Sequence, residues 1–316
     1  MISLGIESTA HTFGMALVDS SGKILVDRRD MFIPPAGKGF VPNDLKVHHE
    51  KVVVRMLKDI DMRKVDIVSF SRGPGIPNAL MVGSSVARYL ALKHNKPIVG
   101  VNHAIAHIEI GRLMTGAKNP VIVYLSGGNT QILAHSEGRY RVFGESEDIP
   151  IGNTLDVFAR ECGLGSPGGP AVEKLASKGQ YVDLPYVVKG MDLSFTGILT
   201  DAIRKFREGE RLEDLCYSIQ ETCFAMLTEV SERALSHTGK DELLLVGGVA
   251  ANRRLQEMMK IMCKYRGAHC FVVPQKYAGD NGANIAWTGL LCNKARSANT
   301  GIIQNWRADQ VDAFWI

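Results

Sequence analysis

At 316 residues, with 45% hydrophobic and 22% charged residues, the chain is long enough for two domains and has the make-up of an ordinary globular protein. Its 37 basic and 33 acidic residues leave a net charge of +4, which permits a nucleic-acid partner without demanding one. No apolar run is long enough to span a bilayer, and the opening MISLGIES lacks the basic start and apolar core of a secretory signal. The six cysteines form no CxxC pair and read as free thiols of a reducing compartment, so a cytoplasmic protein without membrane contact is expected.

In chain order, residues 2–6 predict a buried strand that ends in Glu7-Ser8-Thr9-Ala10. Residues 13–18 and 23–26 continue it as a hairpin meander around the turn Asp19-Ser20-Ser21-Gly22. A Pro/Gly loop covers 34–42, and Asn43 is expected to cap a helix running to about 60. A strand at 65–70 leads through Ser-Arg-Gly-Pro-Gly into a helix at 77–94. A further strand, 97–101, precedes Asn102, the expected cap of the next helix. That helix carries His103 and His107, one turn apart on one face, a spacing that suits a shared metal ion. The same spacing is also common on plain helix surfaces.

The second half predicts a strand at 121–125, the loop Ser126-Gly127-Gly128-Asn129-Thr130 and a strand at 131–134. Small residues there let a phosphate approach the backbone N–H groups, although Ser-Gly-Gly-Asn is equally a tight turn. The turns DSSGK and HSEGR align, which suggests a weak internal repeat of strand, loop and strand. Residues 152–156 enter a helix that runs to 162, and GLGSPGGP (163–170) opens the helix carrying Glu173. Helices follow at 193–207 and 211–237, then a strand at 243–246, the turn 247–252 and a basic helix to 265. A strand at 271–273 comes next, and Gly279-Asp280-Asn281-Gly282 opens a last helix to about 294. Strands alternating with helices predict an α/β fold of two lobes, residues 1–118 with the His-pair helix and residues 119–316 with a nucleotide site, facing a ligand cleft.

The order of these motifs resembles the ASKHA fold of actin, sugar kinases and heat-shock proteins. Within it, IESTAHT, SRGPG, VNHAIAH, YLSGGNTQI, GNTLDVFAR, GGPAVEKLA, SFTGI, VGGVAANRRL and AGDNGANIAW resemble the catalytic subunits of tRNA threonylcarbamoyladenosine synthases, the TsaD-like family. Tyr124 and the closing WRADQVDAFW are similar to its archaeal and eukaryotic branch, the KEOPS subunit.

The resemblance implies transfer of a threonylcarbamoyl group from threonylcarbamoyl-adenylate to the exocyclic N6 of the adenosine 3′ of the anticodon, in tRNAs reading ANN codons, forming t6A with release of AMP. It implies a nucleotide ligand (the adenylate, or ATP or AMP) held by Tyr124, Leu125, Ser126, Gly127, Gly128, Asn129, Asp156, Gly169, Glu173, Gly247, Gly248 and Asn252. It also implies one iron or zinc ion, for which His103, His107, Tyr124 and Asp280 are the expected ligands. Tyr124 lies two residues before Ser126 on a strand, on the same face. The ion is expected to tie the two lobes together. No general base is assigned. Expected partners are tRNA and the KEOPS subunits: a small atypical kinase, which in some relatives is fused at the C-terminal end, a small dimerising subunit and further small subunits. Two other readings are a metal-containing ATP-binding scaffold and a metalloprotease of the glycoprotease type. Against the latter, the Glu that follows the first His in an HExxH protease is Ala104 here.

Overall fold

The structure, a computed structural model, describes residues 1–34, 39–165, 167–295 and 300–316, with backbone alone at 59, 294 and 295. The middle of the expected Pro/Gly loop and Ser166 of the glycine-rich loop lie outside the described residues. The chain forms two compact units. The first comprises Met1–Met114, Glu137–Tyr140 and Gly279–Ile316, the second Thr115–Ser136 and Arg141–Ala278.

The first unit opens with the antiparallel strands β1 (Ile2–Glu7), β2 (Thr12–Asp19) and β3 (Ile24–Met31). The turn between β2 and β3 is held by Asp19, whose Oδ1 accepts from the Ser21 amide and hydroxyl and from the Lys23 amide at 2.6–3.0 Å. Helix α1 (Pro42–Met56) starts at proline, with Val41 rather than Asn43 at its cap. Proline suits that first position because its φ is already helical and its missing N–H has no partner to lose. Strand β4 (Ile67–Gly73), helix α2 (Pro77–Lys93) and strand β5 (Ile98–Asn102) follow, and β4 runs parallel to both β1 and β5. Helix α3 (His103–Thr115) begins directly after β5. The Asn102 side chain caps it as expected, accepting from the Ala104 and Ile105 amides at 3.0 and 3.2 Å. Helix α3 is buried from His103 to Gly111. Its buried Glu109 accepts from the Tyr140 hydroxyl at 2.7 Å and from Arg112 at 2.9 Å.

The second unit repeats the plan. Strands β6 (Val121–Leu125), β7 (Thr130–Ser136) and β8 (Arg139–Glu145) are followed by α4 (Ile151–Glu161) and α5 (Gly168–Ala176). A small ribbon, β9 (Val188–Lys189) with β10 (Asp192–Leu193), precedes α6 (Thr196–Arg207) and the long α7 (Leu212–Thr238). The unit closes with β11 (Glu242–Val246), α8 (Arg253–Arg266), β12 (His269–Val272) and the short α9 (Gln275–Ala278). Its core gathers Phe158, Phe195, Phe224, Leu215, Leu227 and Met259, all fully buried. The chain then returns to the first unit with α10 (Gly282–Leu291).

The sheet orders are β3-β2-β1-β4-β5 and β12-β11-β6-β7-β8. Read from the meander edge, they match strand for strand. The central strand (β1, β6) is antiparallel to the strand after it and parallel to a later one (β4, β11). The internal repeat suggested by the two turns is therefore a repeat of topology. No described helix is long and apolar enough to cross a membrane.

Two expectations need correction. Residues 279–316 do not belong with the second half: α10 lies on the first sheet, so close that a Cβ on Gly5 would run into the Gly282 carbonyl and the Ala286 amide. A hydrophobic period alone does not show which sheet a helix covers. The helix expected from 193 starts at Thr196, because Asp148 collects the Ser194 hydroxyl and the Phe195 and Thr196 amides (3.0 and 2.9 Å for the amides), which sets Leu193 in a strand.

Candidate metal centre and nucleotide loops

Three ends of structure meet in the first unit: the C-terminus of β1, the start of α3 and the residue pair before α10. They bring together His103, His107 and Asp280, whose ligand atoms all lie within 4.8 Å of one another. The two rings are 4.6 Å apart and nearly perpendicular. Both present Nε2 to one carboxylate oxygen: Asp280 Oδ1 is 3.5 Å from His103 and 3.2 Å from His107. All three groups are largely shielded from solvent. Asn281 fixes the backbone after Asp280 by capping α10, accepting from the Asn284 amide at 3.0 Å.

The far side of each imidazole is also engaged. Glu7, 1% exposed, lies 3.0 Å from His103 Nδ1 through Oε2, and its Oε1 accepts from the Thr9 amide and hydroxyl at 2.6 Å each. His103 therefore stands between two carboxylates, the arrangement that fixes tautomer and ring angle in histidine-ligated metal sites. Behind His107, Asn284 Nδ2 is 3.4 Å from Nδ1, while Asn284 Oδ1 is buried without a hydrogen-bond partner. A half-turn of that amide offers the orphaned oxygen to an Nδ1–H, as required when Nε2 binds a metal. The donor set thus fits a divalent or trivalent transition-metal ion: two imidazole nitrogens and one carboxylate oxygen converge, with both rings backed from behind.

Electrostatics agree. Burial acts against the charged form of Asp280, yet His103 and His107 hold its carboxyl well below the usual range. Burial likewise opposes a charge on His103, but Glu7 and Asp280 overcome it and raise its pKa; burial dominates at His107 and lowers it. Positive charge is thus favoured where Glu7 and Asp280 face the two imidazoles, whether carried by the His103 ring or by a bound cation.

Glu7 and Asn284 were not identified from sequence. Glu7 sits at a strand end like any loop polar residue, and its partner is 96 positions away. Tyr124 belongs to the second unit, on β6, where it is fully buried and pairs in register with Val246 and Gln131. Asp280 belongs to the same unit as the His pair, so these three candidate ligands do not by themselves join the two units.

The remaining candidates lie in the second unit, at the C-terminal ends of β6 and β11 and on the helices α4 and α5. Ser126 closes a turn on Asn129: its amide donates to the Asn129 carbonyl at 2.8 Å and its hydroxyl accepts from the Asn129 amide at 3.0 Å. Added methyls on Gly127, Gly128, Gly169 or Gly248 would meet nothing within 4 Å, so the backbone at these positions faces open space. Gly247 is required by its φ of 91° and by the Leu125 carbonyl, against which a Cβ would collide. Asp156 Oδ1 accepts from the Gly168 amide at 2.7 Å and anchors the glycine-rich loop to α4. Glu173 accepts from the Arg253 amide at 2.8 Å. Asn252 caps α8 through the Leu255 amide at 3.1 Å and donates to Gln220 at 2.9 Å, which engages both ends of its amide.

The duplicated sheets define an ASKHA-fold protein. HypF of T. kodakarensis matches 92% of this chain and 47% of its own with a TM-score of 0.63 at 14% identity. Component A of the (R)-2-hydroxyglutaryl-CoA dehydratase of Acidaminococcus fermentans matches 91% and 97% with a TM-score of 0.55 at 11% identity. Likenesses this remote show the fold alone. The family is shown by sequence: residues 23–287 match the family model TsaD, tRNA N6-adenosine threonylcarbamoyltransferase. A protein of that name from Thermococcus kodakarensis is 52% identical over the whole of both chains. A "probable bifunctional tRNA threonylcarbamoyladenosine biosynthesis protein" from Methanobrevibacter smithii is 51% identical, and this chain spans 60% of its length. The chain belongs to the TsaD family.

Proposed function

We propose that the chain transfers the threonylcarbamoyl group of threonylcarbamoyl-adenylate to the N6 amine of the adenosine 3′ of the anticodon in tRNAs reading ANN codons. The amine nitrogen forms a bond to the carbamoyl carbon, the bond from that carbon to the phosphate oxygen breaks, AMP leaves with the electron pair and the amine loses a proton. The observation that carries this reading is the convergence of buried His103 and His107 with partly buried Asp280, backed by Glu7, in a chain of the TsaD family.

In this reading His103, His107 and Asp280, with Tyr124, hold one iron or zinc ion. When bound, the ion supplies Lewis-acid polarisation of a carbonyl oxygen. Glu7 and Asn284 keep the two imidazoles turned toward it. Ser126 and Asn129 spend their own amides closing the turn, so Gly127 and Gly128 supply the backbone N–H groups to the adenylate phosphate, and the open glycines at 127, 128, 169 and 248 allow the nucleotide to approach the backbone. Asp156 has one oxygen beyond its loop bond for a ribose hydroxyl. Asn252 acts by fixing the start of α8, since its amide is already engaged. The mixed anhydride is activated, so positioning of the amine outweighs strong base catalysis.

The expected partners are tRNA and the KEOPS subunits, namely the small kinase, the small dimerising subunit and further small subunits, and the expected location is the cytoplasm. The name "bifunctional" of several relatives supports an association with a second activity. The protease reading is not favoured, because Ala104 stands where an HExxH enzyme has its base and the relatives carry a transferase name. Incubation with threonine, bicarbonate, ATP, an adenylate-forming partner and tRNA, followed by nucleoside analysis, tests the proposal. t6A is the expected product, and unmodified adenosine with all components present rejects it.

A further inference from the structure

Two basic clusters stand out in the sequence, and the structure separates them. On α6 the charges are spent locally. Arg204 pairs with Asp201 at 2.6 Å and with Glu208, Lys205 with Asp201 at 3.2 Å, and Arg207 with Glu161 at 3.0 Å. On α8, Arg254 is held by Glu221 and Glu257 at 2.7–2.8 Å, and Arg266 by Glu232 at 3.0 Å. Arg253, Lys260 and Lys264, all exposed, enter no ion pair among the described residues. Residues 253, 260 and 264 fall on one side of the helix, within about 16 Å along its axis. Glu257 shares that side but is occupied by Arg254. The opposite side, Leu255, Met259, Met262 and Cys263, packs into the core, so nothing in the fold requires cations on the outer one. Beside Lys264 stands Tyr265, 88% exposed. The helix starts at the nucleotide loops, with its first amide held by Glu173.

We propose that the outward face of α8 is a docking surface for tRNA: Arg253, Lys260 and Lys264 contact backbone phosphates and Tyr265 stacks on an unpaired base. The inference rests on tRNA being the substrate. Uncompensated cations spaced along a helix complement a polyanion, and an exposed aromatic flanking them, about 100° round the helix from Lys264, supplies the stacking platform common in recognition of unpaired RNA. The neutralised α6 cluster serves as the internal control.

The test is binding of an unmodified tRNA transcript to the full chain by fluorescence anisotropy over a range of salt. Lys260→Ala/Lys264→Ala should bind about 10- to 50-fold more weakly near 0.1 M salt, with the log–log salt slope smaller by about two. Arg204→Ala/Lys205→Ala should bind as the unmodified chain does. Tyr265→Ala should weaken binding and Tyr265→Phe, which keeps the ring, should not. Unchanged affinity in the α8 double variant, with tight binding by the unmodified chain, overturns the surface alone. Absence of tRNA binding by the unmodified chain at every salt overturns the tRNA reading and the surface with it. Unchanged tRNA binding with altered sedimentation assigns the face to a second copy of the chain instead.

Discussion

At the scale of single residues, the candidate metal site rests on groups that stand behind its proposed ligands. Glu7 is buried with three hydrogen bonds, two to Thr9 and one to His103. Glu7→Gln keeps the size and removes the charge, so metal affinity should fall about 10- to 100-fold with the fold intact. A chelator-competition titration reads this directly, and unchanged affinity would show that Glu7 is only structural. A second residue sets an acid limit. His49 is fully buried against Phe13, with Nε2 3.0 Å from the Ala10 carbonyl, and burial, aided by neighbouring His48, lowers its pKa to about 4. The unfolded chain, with an ordinary histidine, binds the proton first. Stability from the neutral ring is therefore complete above about pH 6.5 and is lost as pH falls toward 4. Thermal unfolding between pH 7 and 4 should show this decline, and His49→Gln should flatten it. The spacing of the His pair was legible in sequence because a helical period is a local signal, whereas Asp280 was expected only from the resemblance of its motif to the family. Glu7, His49 and Asn284 were not legible, because their roles exist only once distant segments meet.

At the scale of elements, most of the fold was legible, since apolar strand runs and the Pro, Gly or Asn residues at helix ends are signals carried within a few residues of chain. The exceptions have physical causes. The start of α6 is set by Asp148, 48 positions before Thr196. The short α9 has too few residues to show a period. The placement of α10 depends on glycines that allow two backbones to touch. Gly5→Ala puts a methyl into the Gly282 carbonyl and the Ala286 amide, neither of which is a flexible side chain. The expected cost is about 1–3 kcal/mol or more. Because α10 begins two residues after Asp280, the same change should weaken metal binding. Calorimetric unfolding with a metal titration checks both, and a normal melting temperature would show that α10 docks less tightly than the glycines imply.

At the scale of the whole molecule, one topology serves twice: the first copy carries the candidate metal triad, the second the candidate nucleotide loops. The order of the motifs along the chain made this division legible, although the domain boundary at 118/119 missed the return of α10. A net charge of +4 gives a weak overall field for a tRNA polyanion. We therefore expect the isolated chain to bind tRNA modestly and modify it slowly, and the proposed kinase-like and dimerising partners to raise that rate; full activity without them would contradict the proposal. His103, His107 and Asp280 are proposed to form a metal centre. Elemental analysis of metal per chain, on the unmodified protein and on His103→Ala, His107→Ala and Asp280→Ala, tests it most directly. About one iron or zinc ion per chain is predicted for the unmodified protein, with little or none in the variants; full occupancy in both histidine variants would contradict it.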